Sequence, residues 1–490
     1  MFAPAQPTPG TLFLTNARQA PIITLLALVA IGLGTGLAIF LIPEFGRGSS
    51  GLFASALAMS LGLLAAPVAA CLDQPRMILR GEFLLTLAPI YWLLLDLLQG
   101  VYSMATIETD QIKLAFLGIG VFVMMVWIGA VRRPWRIPQT VVNTAQQEFS
   151  VNAYFGIAVF CFLLAMLTFA IPCNFNIFDM IHYLGQERWA APWGRGQLGG
   201  WDAFLDHLQY FGYLLPVLTV VMGRCVGWRN VRTILCAMLS IIITAFLAQS
   251  GSRRVVGVVI GMALIFWVLG HERLRIKHVV QTCVAIVALL VTLQVMLEYR
   301  NIGLGTLFGL RTEAAESREE KRRFLENEYL RVDDNFFRLC QVIQFIPHSY
   351  PFVYHKYLFY IIVRPIPRVF WPEKPVDPGF DLPTAVGVEG VSYSYSVIGE
   401  LYMSFGFIGI AIGGWFYGRV SAMARGLLQR SNTLAALLMY SVVVMALFSG
   451  MRSILELVLV SLPTNSSSAT LRLNILLSYF LLMLLMMDNT

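Results

Sequence analysis

The chain has 490 residues, 57% of them hydrophobic and only 13% charged, with a formal net charge of +7. A soluble domain needs roughly 25% charged residues to cover its surface, so lipid meets most of this one. Nucleic acid fits poorly as a partner, because the cations form no compact basic domain.

The apolar residues come in blocks of roughly 17–23, enough to cross ~30 Å of hydrocarbon as helices, whereas membrane-barrel strands would alternate over short segments. The fold class expected is therefore an all-α polytopic membrane protein with about twelve transmembrane helices. Spans are expected at about 21–42, 51–72, 83–104, 113–131, 151–172, 207–226, 231–249, 255–270, 279–297, 396–418, 432–450 and 471–488. Residues 1–20 form a short cytoplasmic segment, and with no clear small-residue cleavage site behind it the first block reads as a retained helix.

Charge sets the orientation. With Arg18 inside, the short inside loops hold Arg76/Arg80, Arg132/Arg133/Arg136, Arg229/Arg232, Arg273/Arg275/Lys277 and Arg425/Arg430. The short outside connections are poorer, with Arg47 and then the acidic ETDQ of Glu108–Gln111. Both termini are thus expected in the cytoplasm. Residues 21–297 carry spans one to nine with an outer loop at 173–206, a large outer loop fills 298–395, and 396–490 carries the last three spans. The seven cysteines lie mostly in apolar blocks, where they behave as small hydrophobes. Cys173 and Cys340 fall outside, where pairing stays open to them. No CxxC or HExxH spacing points to a metal.

The large outer loop has its own elements. RTEAAESREEKRRFLENEYLR (311–331) reads as a solvated helix with pairs such as Glu319–Arg323. DDNFFRLCQVIQFI (333–346) starts acidic and turns apolar on one face. YPFVYHKYLFYIIV (350–363) is crowded with the aromatics that favour headgroup level. Both are expected to lie on, or dip into, the outer membrane surface. RPIPRVFWPEKP (364–375) follows, and its four prolines forbid a regular helix. Its arginines Arg364 and Arg368 are expected to be preorganised cations, ordinary snorkelling to lipid phosphates being the plainer alternative.

Further outside arginines stand at helix junctions. SGSRR (250–254) places Arg253 and Arg254 in a turn between spans, and SGMRS (449–453) places Arg452 at a span end with Glu456 able to pair with it. Each alone is as well explained by structure as by function; their convergence from three separated hairpins favours function, since a guanidinium binds diphosphate oxygens bidentately and stays charged. Asp96, inside an apolar block, is either functional or a helix-to-helix hydrogen bond. ERWAAPWGRGQLGGW (187–201) offers tryptophans for sugar stacking or for membrane anchoring. Arg188…Gly199 and Arg368…Gly379 share an Arg-x10-Gly spacing, a weak signal in a chain with 40 glycines.

SGSRRVVGVVIG, then RPIPRVFWPEKP, then SYSYSVIGELYMSFGFIGIAIGG, in this order around a long outside loop, resemble the O-antigen polymerase (Wzy-type) family over about 245–460. The resemblance implies a GT-C-like, multi-span glycosyltransferase of the cytoplasmic (inner) membrane. Such an enzyme polymerises polyprenyl-pyrophosphate-linked oligosaccharide repeat units into O-antigen or exopolysaccharide on the outer face. It also implies that Arg253, Arg364, Arg368 and Arg452 bind substrate, and that Arg331 and Asp334 match an Arg–Asp cluster; Arg254 and Arg188, from the SGSRR turn and the 187–201 loop, are further candidates for binding substrate. A chain-length regulator and a flippase of the same pathway are the expected protein partners, with membrane lipid around them. No cofactor is expected, since arginine clusters can take a metal's place.

Breaking the bond to the carrier puts charge on the leaving diphosphate, which fixed cations stabilise, and the acceptor hydroxyl needs a base. The candidates are Glu400, then Asp334, then His355. Glu400 is expected at the outer end of its span; pairing with a nearby arginine explains it equally well. Rival readings are an O-antigen ligase, which would pass the glycan to lipid A-core, a flippase or transporter, which would show repeated halves, and a membrane scaffold acting through 311–331.

Overall fold

A computed structural model describes residues 20–44, 48–131, 135–137, 139–186, 190–193, 201–249, 253–271, 275–299, 334–363, 366–375, 377–388, 393–431 and 433–454. Among these the chain is all-helical. Eight helices are long and apolar enough to cross a membrane: Pro21–Phe40, Phe53–Leu72, Gly81–Gln99, Thr109–Val131, Val151–Ala170, Phe204–Val226, Val231–Gln249 and Ser396–Ser431. Shorter apolar helices lie at Val255–Leu269, Lys277–Thr292 and Leu434–Ser449. These fall on the expected spans in order; the last expected span, 471–488, lies outside the described residues.

We number the helices that position the site. α1 (Ala20–Phe40) and α2 (Phe53–Asp73) cross where two glycines meet, and a Cβ on Gly34 would stand 2.9 Å from the Gly62 Cα. Their outer faces carry Ile22, Leu25, Leu33, Phe40, Leu61 and Leu72, each more than half exposed. Apolar surface on this scale belongs in hydrocarbon. α3 (Gly81–Pro89) passes through a π-turn at Ile90–Leu94 into α4 (Leu95–Gln99). Gly100, at φ 67°, ends α4 by donating to the Asp96 and Leu97 carbonyls, a left-handed stop that glycine adopts without strain. Asp96 is buried there.

α5 (Thr109–Val131) is the central helix. It packs against α6 (Ser396–Ser431) through a seam of small residues. A Cβ on Gly414 would collide with the Phe122 carbonyl, one on Gly418 with the Val126 carbonyl, and one on Gly129 with the Trp415 carbonyl. The pairs Phe122/Gly414 and Val126/Gly418 advance together, so the helices run in the same direction. α7 (Leu434–Ser449) is buried nearly throughout and returns beside them.

The outer-loop helices separate into two kinds. α8 (Asn335–Phe345) dips into the bundle and packs on α5 and α6, burying Asn335, Phe336, Leu339, Cys340, Val342 and Ile343. α9 (Lys356–Val363) lies at the surface, burying Tyr357 and Ile361 while exposing Leu358, Phe359 and Ile362. Cys173 and Cys340 are separate free thiols. The helix expected at 311–331 lies outside the described residues.

Three expectations change. The span expected at 396–418 is not one straight helix: φ/ψ leave the helical region at Phe405 and Gly406. Its continuation reaches Ser431, so Arg425 and Arg430 stand in helix, not in a loop. Arg253 and Arg254 are the first residues of the helix Arg253–Leu269 rather than members of a turn.

The seam makes a stability prediction. Gly418→Val must push apart a pair of backbones that now touch, and overpacking of this kind costs about 1–3 kcal/mol. A lowered thermal unfolding midpoint in detergent is the expected outcome, with Gly36→Val, whose Cβ meets nothing within 4 Å, as the unaffected control.

Candidate functional site

The site is built around a chain reversal. Gly406 adopts φ 62° and ψ −145°, backbone reserved in practice for glycine. The half-helix Ser396–Ser404 therefore folds back on the rest of α6. Leu401 shows it: a Cβ on Gly413 would overlap its side chain, although twelve residues of straight helix span about 18 Å. A reversal frees carbonyls that have no water to turn to. Here Val353 N–H donates to the Met403 carbonyl at 2.9 Å and Tyr354 N–H to the Ser404 carbonyl at 3.1 Å. The start of the half-helix is tied too, with Val397 N–H donating to the Met451 carbonyl at 3.0 Å.

Glu400 lies in the middle of this anchored piece, about 7 Å along the axis from the reversal. It is 7% exposed. Its carboxylate accepts from Ile454 N–H at 2.6 Å. It is also hydrogen-bonded to Ser453 and Tyr357, and Arg452 lies near enough for its charge to act on it. Burial first, then Glu400 and Tyr395, hold the Tyr357 hydroxyl well above its ordinary pKa, so it stays protonated and donates. Three donors thus reach it among the described residues, of the about four lone-pair sites a carboxylate has. Glu400 was expected at the outer end of a descending span. It stands instead in a half-helix that starts at the SGMRS turn and climbs to the reversal.

The turn that supplies Arg452, Ser453 and Ile454 is held from several sides. Tyr417 donates to the Gly450 carbonyl at 2.9 Å, Trp92 Nε1 to the Phe448 carbonyl at 3.2 Å, and Ser394 Oγ to the Arg452 carbonyl at 3.1 Å. Trp92 belongs to the π-turn, whose irregular backbone also receives Asn335 Nδ2 at 3.0 Å on the Trp92 carbonyl. π-turns inside helices recur at functional sites.

Asp334 stands one step away. It precedes α8 and accepts from Arg338 Nε at 2.6 Å. Arg338 also lies over the Tyr393 ring at 3.5 Å and donates to Gln341 at 2.9 Å. Tyr393 adjoins Ser394, so the Asp334–Arg338 pair and the Arg452 turn share one backbone segment. His355 is exposed beside the capping Tyr354. Arg368 is not a projecting cation. Its guanidinium donates to the Pro372, Lys374 and Pro375 carbonyls at 3.1, 2.9 and 3.4 Å, while Lys374 Nζ donates to the Ile366 carbonyl at 2.7 Å. Prolines leave these carbonyls without regular partners, and the cations brace the loop through them.

Arg188, Arg331, Arg364 and Glu456 lie outside the described residues, as do the side chains of Arg253 and Arg254. The structure thus brings Glu400 and Arg452 together, with Asp334 nearby. Sequence reasoning missed Tyr357, Ser453 and Arg338. Tyr357 is hidden in an aromatic run that reads equally well as a headgroup belt. Among the described residues no group of three or more His, Cys, Asp or Glu side chains is arranged to hold a metal ion.

No protein-family model matches the chain, and no curated protein or solved structure matches it either.

The reversal carries a prediction. Gly406→Ala forces a side chain into a backbone region that disfavours it by about 1–3 kcal/mol. The expected result is a lower unfolding midpoint for the inserted protein. An unchanged midpoint would show that the reversal is not fixed by this residue.

Proposed function

We propose that this chain is a membrane glycosyltransferase that polymerises polyprenyl-pyrophosphate-linked oligosaccharide repeat units on the outer face of the cytoplasmic membrane. In this reading about twelve spans, GT-C-like, leave both termini in the cytoplasm. The observation that carries it is Glu400: a recessed carboxylate held by Ile454 N–H, Ser453 and Tyr357, beside the arginine of a buttressed turn.

Glu400 accepts the proton of the acceptor sugar's hydroxyl as that oxygen bonds to the donor's anomeric carbon. The bond from that carbon to the carrier diphosphate breaks, and its electron pair leaves with the diphosphate. Arg452 meets the growing charge, joined in this proposal by Arg253, Arg254, Arg331, Arg364 and Arg188. Preorganised donors of this kind are worth about 3–4 kcal/mol each in other enzymes. Glu400 then returns its proton to water. Tyr357 and Ser453 orient the carboxylate, while Arg368 acts at one remove by bracing the loop that begins with Arg364. Asp334, already bound to Arg338, and His355 rank below Glu400 as bases.

A transporter reading draws on one observation, the broken helix, since discontinuous helices hold substrate in secondary transporters. Against it, the carbonyls freed at Met403 and Ser404 are taken by Val353 and Tyr354 N–H groups. A ligase would use the same chemistry on another acceptor.

Purified protein incubated with lipid-linked oligosaccharide separates these. A ladder of products on a gel marks a polymerase, one added glycan on a lipid A-core acceptor marks a ligase, and no covalent change marks a transporter. Glu400→Gln keeps the shape and removes the base, so polymer formation is expected to fall about 10²–10⁴-fold with insertion intact. Wild-type rates in this variant would remove Glu400 from the chemistry.

A further inference from the structure

A second buried carboxylate lies toward the other end of the same helices. Glu82, 1% exposed, accepts from Arg80 Nε at 2.7 Å and from Arg425, and Ser421 Oγ donates to its other oxygen at 3.0 Å. Arg425 Nη2 also donates to the Ala130 carbonyl at 2.9 Å. The cluster therefore joins the start of α3, the end of α5 and the far portion of α6. Among the described residues two guanidiniums face one carboxylate, an excess of one positive charge in a largely buried place.

That charge borders a cavity of about 80 Å³, whose other walls include Ile23 and Thr24 of α1, Phe83 and Trp127. One water needs about 10–15 Å³ on the same measure, so several polar atoms fit and a sugar ring does not. Arg80 gives two nitrogens to Glu82, and its Nη1 has no hydrogen-bond partner among the described residues. The α1 wall adjoins the lipid-facing residues Ile22 and Leu25. The cavity thus combines a net single positive charge, spare guanidinium donors and a rim of exposed hydrocarbon.

We propose that this cavity binds a phosphodiester monoanion, the headgroup phosphate of an anionic phospholipid whose acyl chains lie against α1. Arginine matches phosphate oxygens with paired donors, and basic pockets between spans are a known mode of headgroup recognition. The charge pattern of the chain places this end of the bundle on the cytoplasmic side, away from the proposed glycan chemistry. The site is independent of that function.

The test uses the full chain in nanodiscs of equal phosphatidylglycerol and phosphatidylcholine, with the lipid retained on the protein read by native mass spectrometry. Wild type is expected to retain phosphatidylglycerol about fivefold over phosphatidylcholine. Ile23→Trp fills the cavity and leaves every charge in place, and it should bring that ratio to one. Arg80→Gln should do the same where it folds. A wild-type ratio of one, or a ratio that Ile23→Trp leaves unchanged, overturns the proposal. A separate arm adds inorganic phosphate to lipid-depleted protein in detergent. A rise in unfolding midpoint there, abolished by Ile23→Trp and with no lipid preference in nanodiscs, assigns the site to soluble phosphate and overturns the lipid source.

Discussion

Two backbone hydrogen bonds make the candidate site possible. In hydrocarbon an unpaired carbonyl costs several kcal/mol, which is why spans are normally unbroken helices. α6 escapes that rule because Val353 and Tyr354 bring their N–H groups to the carbonyls that the reversal strands. Once those are satisfied, a half-helix can lie back against its own continuation and hold a carboxylate away from the surface. Tyr357 follows three residues after the second cap and reaches that carboxylate. The same short stretch thus permits the reversal and furnishes a partner for Glu400.

The chain buries two acids in different surroundings. Glu82 faces two full positive charges and is closely bound by both. Removing Glu82 would leave two buried guanidiniums facing each other, and breaking a buried pair costs about 3–5 kcal/mol, so its natural role is to lock helices together. Among the described residues Glu400 is surrounded chiefly by neutral donors, a backbone N–H and two hydroxyls, with the Arg452 guanidinium close by. Neutral donors hold a carboxylate in place while leaving it able to take up a proton. The contrast is the physical ground for reading one acid as a staple and the other as a reactive group.

Much of the architecture was legible in the sequence, because a span announces itself by length alone. Apolar blocks such as 151–172 and 231–249 need nothing beyond a count of residues. The irregularities were not legible. The π-turn at Ile90–Leu94 and the reversal at Phe405–Gly406 occur inside runs that are mostly apolar on both sides, and hydropathy has no sensitivity to a helix changing its winding or direction. Gly406 was one glycine among several in its block. Glu400 and Arg452 stood out as charges in apolar surroundings. Arg368 misled for a physical reason: prolines do stiffen its loop, but they also strip it of backbone donors, and the nearby cations are drawn to the orphaned carbonyls. Arg80 and Arg425 satisfied the orientation rule so well that their shared partner, Glu82, went unremarked.

The glycine seam between α5 and α6 has a mechanical meaning. Where backbones touch at Gly414 and Gly418 there are no side chains to slide or repack, so these two long helices behave as one stiff slab. Compliance is left to the short piece before Gly406, tied at its two ends and, between them, through Glu400. The surface helix α9 grips that piece twice, through the segment that caps it and through Tyr357. Any displacement of α9 is therefore delivered to the tip of the hairpin and to its carboxylate together, as a lever moves its load.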